Sequence, residues 1–459
     1  MRGRKGLIET MNEATAISSA ANSPRAEKSK VGIIGLGFVG LPLAMAFVKK
    51  GFTVVGVDLD PSKINAINEG KSYIQDIADG VLDAAGESGR WSVSTEYTAL
   101  LGSDAIVICL PTPLSASHGP DLSYLTDACH RLYPLLQPGQ LVIVESSTYP
   151  GTTREVVKPL LEKGGLRAGE DLYIAYSPER IDPGNRNASL LSIPKVVSGV
   201  TAQCLAHVQQ LYEQLFDKVV AVSSTEAAET TKLLENSYRF INIAFINEFT
   251  EICEKLSLNV WEVIEAASSK PYGFSPFYPG PGIGGHCIPI DPLYLQWKAE
   301  QFGASSQFIK LAQQLNDALP ASIVNRLEKL LPADRPLAGA RIFVYGITYK
   351  KDIGDARESA ALAIVHELLG RGAIVIYHDP CAPSVRLNDR TWMHSVELTE
   401  EELEQADCVL IGTDHSVMPA DFIASHSRLI FDTRYAFKQL ASSKARIVRL
   451  GDNTNTAAQ

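Results

Sequence analysis

A cysteine stands inside the run Gly280-Pro281-Gly282-Ile283-Gly284-Gly285-His286-Cys287-Ile288-Pro289-Ile290-Asp291. Glycines around a thiol leave backbone that can approach a ligand closely and adopt positive φ. As a thiolate, Cys287 is a nucleophile, and Asp291 four residues later can orient a reactant or act as a base. Lys232 and Asn236 stand four apart in a stretch of helical periodicity, so both project from one face. An ammonium beside an amide can donate to an oxygen that becomes negative during reaction. Each residue has a plainer reading alone: Lys232 a solvated helix charge, Asp291 a loop cap. Together with a redox cofactor they describe oxidation through a covalent sulfur intermediate. His286 is left without an acid–base role, because its side chain need not face the thiol's partner.

The cofactor signal lies about 250 residues upstream. Gly35-Leu36-Gly37-Phe38-Val39-Gly40 follows a short apolar strand at 30–34 and opens a helix at 41–50. That placement gives a tight turn, room for a pyrophosphate, and a helix N-terminus to receive its charge. Asp58 ends the next strand, 53–57, 18 residues after Gly40. There it can bond a ribose 2′-hydroxyl and would repel a 2′-phosphate, so NAD is expected over NADP. The alternatives are a glycine turn serving only packing, and Asp60 in place of Asp58; Asp60, past the strand, reads as a solvated turn residue.

The elements that must hold these groups follow from pattern. Further apolar strands at 105–110, 141–145, 172–175 and 195–198 alternate with helical stretches, the signature of a doubly wound parallel sheet. Residues 226–256 contain no proline or glycine and carry apolar positions every three to four residues, predicting one long helix. The Pro- and Gly-rich segment 268–292 interrupts the helical region. A second α/β pattern follows, with strands at 341–345, 373–377, 408–411 and 428–431 and a helix at 358–370. The fold class is α/β: two Rossmann-like doubly wound domains joined by a central helical domain with a long helix. The expected division is a flexible leader at 1–29, a NAD-binding domain at 30–202, a central helical domain at 203–330 and a C-terminal Rossmann-like domain at 331–459. In that last domain, Lys350-Lys351-Asp352-Ile353-Gly354-Asp355-Ala356-Arg357-Glu358 directly follows a strand. Its cations beside a helix start suit a diphosphate, the plainer reading being an exposed charged loop.

Bulk properties remove other classes. The 459 residues exceed one ordinary core, and 45% apolar with 20% charged residues is a normal globular balance. A net charge of −10 supplies no broad cationic face for nucleic acid. No apolar run of about 18 residues predicts a membrane span. The seven cysteines, at 109, 129, 204, 253, 287, 381 and 408, include no CxxC pair. They read as reduced thiols of a cytoplasmic protein with neither disulfide framework nor metal site, and all but Cys287 as packing thiols.

From about residue 30 to 450 the motifs, in order, resemble the UDP-glucose/GDP-mannose dehydrogenase family. The landmarks are the glycine fingerprint, Pro111-Thr112-Pro113, Ser147-Thr148-x-Pro150-Gly151-Thr152, Ser177-Pro178-Glu179-Arg180, Lys232-x-x-x-Asn236, the Cys287 segment, and Lys350 with Arg357-Glu358-Ser359. The resemblance implies two successive NAD-dependent oxidations of a nucleotide sugar's primary alcohol to a carboxylate, through a thiohemiacetal and a thioester on Cys287. It implies that Lys232 and Asn236 stabilise the oxyanion and that Asp291, Thr148 and Glu179 organise water and proton transfers. Asp58 and Lys63 would hold the adenosine ribose, while Thr112, Thr148 and Arg357 would contact the cofactor. Glu179, Arg180, Lys232, Asn236, Gly284 and Lys350 would meet the sugar nucleotide. The helical segment would form a homodimer, with the substrate between the two α/β domains.

Departures narrow the substrate. UDP-glucose members commonly carry Cys-x-Pro-Lys-Asp, where this chain has Ile290, and a second glutamate of some members is replaced by Pro183. The form Gly-Gly-His-Cys-Ile-Pro-Ile-Asp-Pro resembles the branch acting on UDP-N-acetylhexosamines. The N-acetyl-D-glucosamine sugar is the expectation, in surface polysaccharide synthesis. Its mannosamine and galactosamine counterparts and UDP-glucose are the alternatives, and a non-catalytic nucleotide-sugar sensor is the alternative of another class.

Overall fold

The computed structural model describes residues 29–74, 77–115, 119–181, 190–388, 390–440 and 443–452. All but the last residue of the expected leader, and the substituted Pro183, lie outside them.

An eight-stranded sheet opens the chain. Its order is Trp91–Ser94, Thr53–Val57, Lys30–Ile34, Ala105–Ile108, Gln140–Val144, Leu172–Tyr176, Lys195–Gly199 and Val219–Ala221. The first six strands run parallel in the order 3-2-1-4-5-6 of dinucleotide-binding sheets; the Lys195–Gly199 strand joins antiparallel. Lys30–Ile34, Ala105–Ile108 and Gln140–Val144 read as unbroken apolar or buried runs because both sheet faces are covered. The helix Gly40–Lys49 buries Leu41, Leu43, Ala44, Phe47 and Val48 on one face of this core.

The long helix expected over 226–256 spans Thr225–Lys255, about 46 Å at 1.5 Å per residue. Ser224 caps it, its hydroxyl accepting from the Ala227 amide. One side is buried at Thr225, Ala228, Glu229, Lys232, Leu233, Asn236, Phe240 and Ala244, and it mixes apolar with ionisable residues. The helices Asp291–Gln301 and Gln307–Leu330 pack along it.

The C-terminal sheet is all parallel. Its order is Ile374–His378, Arg341–Tyr345, Cys408–Ile411, Leu429–Asp432 and Arg446–Arg449, the doubly wound pattern 2-1-3-4-5. The order reverses between Arg341–Tyr345 and Cys408–Ile411, so the crevice beyond their C-terminal ends is where such a sheet binds ligands. Among the described residues, no helix is long and apolar enough to cross a membrane.

Candidate active site

The glycine fingerprint forms a cradle. Gly35 has φ +90°, and a Cβ there would lie 2.5 Å from the Cys109 carbonyl oxygen. A Cβ on Gly40 would overlap the Gly35 carbonyl, whereas one on Gly37 would meet nothing within 4 Å. The first and third glycines therefore close the turn, and the second leaves open space for a ligand. Asp58 binds this turn to the next strand: Oδ2 accepts from the Leu36 amide and from Lys63 Nζ, both at 2.9 Å. Asp60 is exposed past the strand, as expected, and there it also caps the helix Pro61–Asn68, accepting from the Ser62 amide at 2.9 Å, because an extended residue before proline is a natural N-cap.

Three elements hold the Cys287 loop. Gly280 donates its amide to Asn247 of the long helix at 3.0 Å, and Ile283 donates to Asn316 of Gln307–Leu330 at 2.8 Å. Gly285, at φ +91°, donates to the Glu358 carbonyl of the C-terminal domain. A Cβ on Gly284 would come within 2.6 Å of the Glu358 carbonyl oxygen, so the contact requires glycine. The Cys287 carbonyl then accepts from the Asp291 amide at 2.8 Å, starting the helix Asp291–Gln301. Cys287 is exposed and Asp291 is fully enclosed.

The long helix meets this turn from the other side. Asn236 Nδ2 donates to Asp291 Oδ2 at 2.7 Å, and Lys232 Nζ donates to Ser147 Oγ at 2.5 Å. Burial opposes the Lys232 charge, yet Cys287, Asp291 and Glu179 outweigh it and hold its pKa above the ordinary lysine value. Burial pushes the Asp291 carboxyl up, with Lys232 and Asn236 only partly opposing it. Ile290, where UDP-glucose members carry lysine, packs against the apolar group of Tyr149, Leu233 and Tyr294. Thr148 is fully buried, its hydroxyl approaching the Tyr176 phenol without meeting hydrogen-bond geometry. Thr112 donates to the Ser147 carbonyl at 2.5 Å and receives the Tyr294 hydroxyl on its own carbonyl, which ties both loops to Asp291–Gln301.

Glu179 is held entirely by protein donors. Oε1 accepts from the Arg180 and Ile181 amides at 2.7 Å, and Oε2 pairs with Lys195 Nζ at 2.7 Å. Burial raises its pKa, but Lys195 and the backbone donors win and hold it below the ordinary value. Lys195 also pairs with Glu145 at 3.0 Å, whose other oxygen receives the Tyr212 hydroxyl. Arg180 grips Glu235 of the long helix through Nε at 3.0 Å and Nη2 at 2.5 Å.

Sequence reasoning missed several of these groups. Ser147 was visible only as part of a motif, and Lys195 reads as the ordinary polar start of a strand. Glu229 is fully buried and receives the Gly151 amide at 2.6 Å, the Thr153 amide at 2.8 Å and the Thr153 hydroxyl at 2.7 Å. Its position three residues before Lys232 was the available signal, since it shares that helix face.

The remaining expected residues stand on the C-terminal side. Lys350 is half-buried in the loop after Arg341–Tyr345. Arg357 pairs with Asp355 at 2.7 Å. His286 lies 3.8 Å from Asp355 and edge-on to Tyr349, its pKa lowered by burial and by Arg357. The residue before the thiol thus touches the C-terminal domain.

The chain matches the three models of the UDP-glucose/GDP-mannose dehydrogenase family: NAD binding domain over 29–216, central domain over 226–318 and UDP binding domain over 343–439. It belongs to this family. A UDP-N-acetyl-D-mannosamine dehydrogenase of Methanococcus maripaludis is 32% identical, covering 91% of this chain and 95% of its own. A UDP-N-acetyl-D-glucosamine 6-dehydrogenase of Pseudomonas aeruginosa is 37% identical, covering 76% and 82%. The solved UDP-D-ManNAc dehydrogenase of Pyrococcus horikoshii is 32% identical with a TM-score of 0.84, over 92% of this chain and 99% of that one.

The protein is therefore an NAD-dependent UDP-sugar dehydrogenase. Its N-terminal cradle fits the cofactor, since the open space at Gly37 suits a pyrophosphate and Asp58 ends the neighbouring strand.

Proposed function

We propose that this enzyme oxidises the 6-hydroxymethyl group of UDP-N-acetyl-D-glucosamine to the carboxylate, with Cys287 carrying the half-oxidised sugar. The observation that carries the reading is the convergence of Lys232 and the Asn236–Asp291 pair on the turn that presents Cys287. When bound, NAD supplies the hydride acceptor for both oxidations, held by Gly35, Gly37, Gly40, Asp58, Lys63, Thr112, Thr148 and Arg357. Cys287 attacks the aldehyde to give a thiohemiacetal, which the second oxidation turns into a thioester that water opens. Lys232, kept cationic by its neighbours, donates to the oxygen that becomes negative at each addition, with Asn236 beside it. Asp291, its carboxyl raised, takes the proton of the attacking water. Glu179, already held by Lys195 and two backbone amides, fixes the geometry of the 177–181 loop, and Thr148 lines the site. Arg180, Gly284 and Lys350 complete the contacts to the sugar nucleotide.

The mannosamine epimer is the second reading, favoured by the nearly full-length relatives of that name. A purified-enzyme assay against the three UDP-N-acetylhexosamines and UDP-glucose decides between them. Fastest turnover of the N-acetylglucosamine substrate, with two NADH per sugar, is expected; turnover of UDP-glucose alone would overturn the branch. Cys287→Ala should bind UDP-sugar and form no acid, and normal acid formation by that variant would end the covalent route.

The reading extends to assembly, division and place. Leu234, Tyr238, Phe245 and Ile252 are exposed along one stripe of the long helix, which supports a homodimer built on it. The domains are assigned to 30–202, 203–330 and 331–459, and the enzyme to the cytoplasm, in surface polysaccharide synthesis.

A further inference from the structure

One cysteine expected to be a packing thiol is not. Cys109, Cys129, Cys204, Cys253 and Cys408 are buried, but Cys381 is half-buried in the turn after Ile374–His378. Its Sγ lies 3.8 Å from His415 Nδ1. His415 is fully buried, and its Nε2 lies 3.1 Å from Asp379 Oδ2. The tautomer follows from the neighbours. The Asp352 amide donates to Nδ1 at 3.0 Å, so Nδ1 carries the lone pair and Nε2 the hydrogen that faces Asp379. Thiol, imidazole base and orienting carboxylate thus stand in the order that activates a cysteine nucleophile.

The same three residues keep their ligand atoms within 4.8 Å of one another, which invites a metal reading. The hydrogen bonds oppose it. Asp379 already accepts the Ile347, Thr348, Cys381 and Ala382 amides, so its oxygens are engaged by the backbone.

We propose that Cys381 is a second reactive thiol, at which low-molecular-weight disulfides form a mixed disulfide that weakens nucleotide-sugar binding. The Cys381 proton passes to His415 Nδ1, which gives up the Asp352 amide as it becomes protonated, and the thiolate attacks one sulfur of the disulfide. The old S–S bond breaks as the new one forms. Cys381 is oxidised, and the departing sulfur is reduced and leaves as a thiol once it takes up a proton. Burial pushes the Cys129 and Cys408 thiols up to about 12, so neither competes.

The consequence follows from position. Cys381 and His415 border the crevice where the C-terminal strand order reverses, and His415 anchors the Lys350 loop through Asp352. Asp352 has φ +58° and is held besides by the Ser416 amide at 2.7 Å and hydroxyl at 2.5 Å. An adduct on Cys381 crowds the Nδ1 that this backbone needs. The thiol's reactivity rests on the Cys381–His415–Asp379 geometry alone, while the effect on binding rests on the role proposed above for the Lys350 loop.

The test uses full-length Cys287→Ala, which removes the exposed thiol, and Ellman's reagent as the disulfide. One fast phase of thionitrobenzoate release is expected, mapped to Cys381 by peptide mass spectrometry and lost in Cys287→Ala/Cys381→Ser. Adding His415→Gln should slow it on the order of tenfold. The labelled protein should bind UDP-sugar at least about fivefold more weakly by calorimetry, with recovery in dithiothreitol. A fast phase at another cysteine, or one indifferent to His415→Gln, would overturn the activated thiol. Unchanged affinity after labelling would overturn the coupling. Failure of the unlabelled protein to bind any UDP-sugar would instead count against the nucleotide-sugar reading and take the coupling with it, while the labelling rates still decide the thiol's chemistry.

Discussion

Glu179 and Asp291 both lie within electrostatic reach of Lys232 and both are buried, yet their surroundings push them in opposite directions. Around Glu179, an ammonium in direct contact and two backbone amides overcome burial and keep the carboxylate ionised. Around Asp291, the hydrogen-bonding partner is a neutral amide and the ammonium of Lys232 contacts Ser147 instead, so burial prevails. A carboxyl whose charged form is held by an ammonium and two amides, with its pKa lowered, is poorly placed to take a proton during turnover. One with an elevated pKa and a single amide partner is better placed. The contrast supports the proposed division, with Asp291 in proton transfer and Glu179 in holding geometry.

The largest expected effect is on that assignment. Asp291→Asn preserves shape but removes the proposed base, and should lower kcat on the order of 10²–10³-fold. In the wild type, activity should rise as pH climbs through the elevated Asp291 pKa, because only the ionised carboxylate accepts a proton. That limb should vanish in Asp291→Asn and persist in Glu179→Gln. Steady-state kcat across pH reads both, and the opposite pattern would exchange the two roles.

A second test breaks the contrast at its source. Lys195→Met leaves Glu179 and Glu145 without their shared cation, and removal of one partner from a buried ionic array destabilises by about 3–5 kcal/mol. The sign with pH is specific. A Glu179 pKa depressed by Lys195 contributes stability above the ordinary glutamate value that is lost as pH falls through the folded value. Without Lys195 that contribution should disappear, so the deficit of the variant should be largest near neutrality and shrink towards acid pH. Thermal unfolding at stepped pH measures it, and a deficit constant with pH would mean that Lys195 acts through its ammonium over the Tyr212 and Phe216 rings and not through Glu179.

These arrays mark where the sequence stopped being readable. The inner strands of both sheets, the long helix and the glycine cradle were legible because each is written in local residues: buried apolar runs, a stretch without proline, glycines at positions needing open space or positive φ. The sheet-end strands Trp91–Ser94, Val219–Ala221 and Arg446–Arg449 were not, because they are only partly buried and carry no such run. Lys232 and Asn236 were legible through their helical spacing, and Asp291 through its proximity to Cys287. Lys195 lies 16 residues from Glu179 and 50 from Glu145, and Tyr212 lies 67 from Glu145, so no spacing joins them. Only sheet order makes them neighbours. Cys381 and His415, 34 residues apart, meet because their strands flank Arg341–Tyr345.

Glu229 supplies the smallest and cleanest comparison. Like Glu179 it accepts two backbone amides, and it has a threonine hydroxyl besides, but no cation contacts it among the described residues. Burial pushes its carboxyl up to about 7 against those donors. A folded pKa above the ordinary value near 4.5 contributes stability that is complete below that value and is lost as pH rises through about 7. The difference in unfolding free energy between wild type and Glu229→Gln should therefore shift against the wild type between pH 5 and 8, since glutamine does not titrate. The amide introduced by that substitution can still accept at its one oxygen, which keeps part of the contact between the long helix and the 151–157 segment. If the difference instead stays flat across that range, Glu229 is ionised throughout, and three neutral donors would have done for it what the lysine does for Glu179.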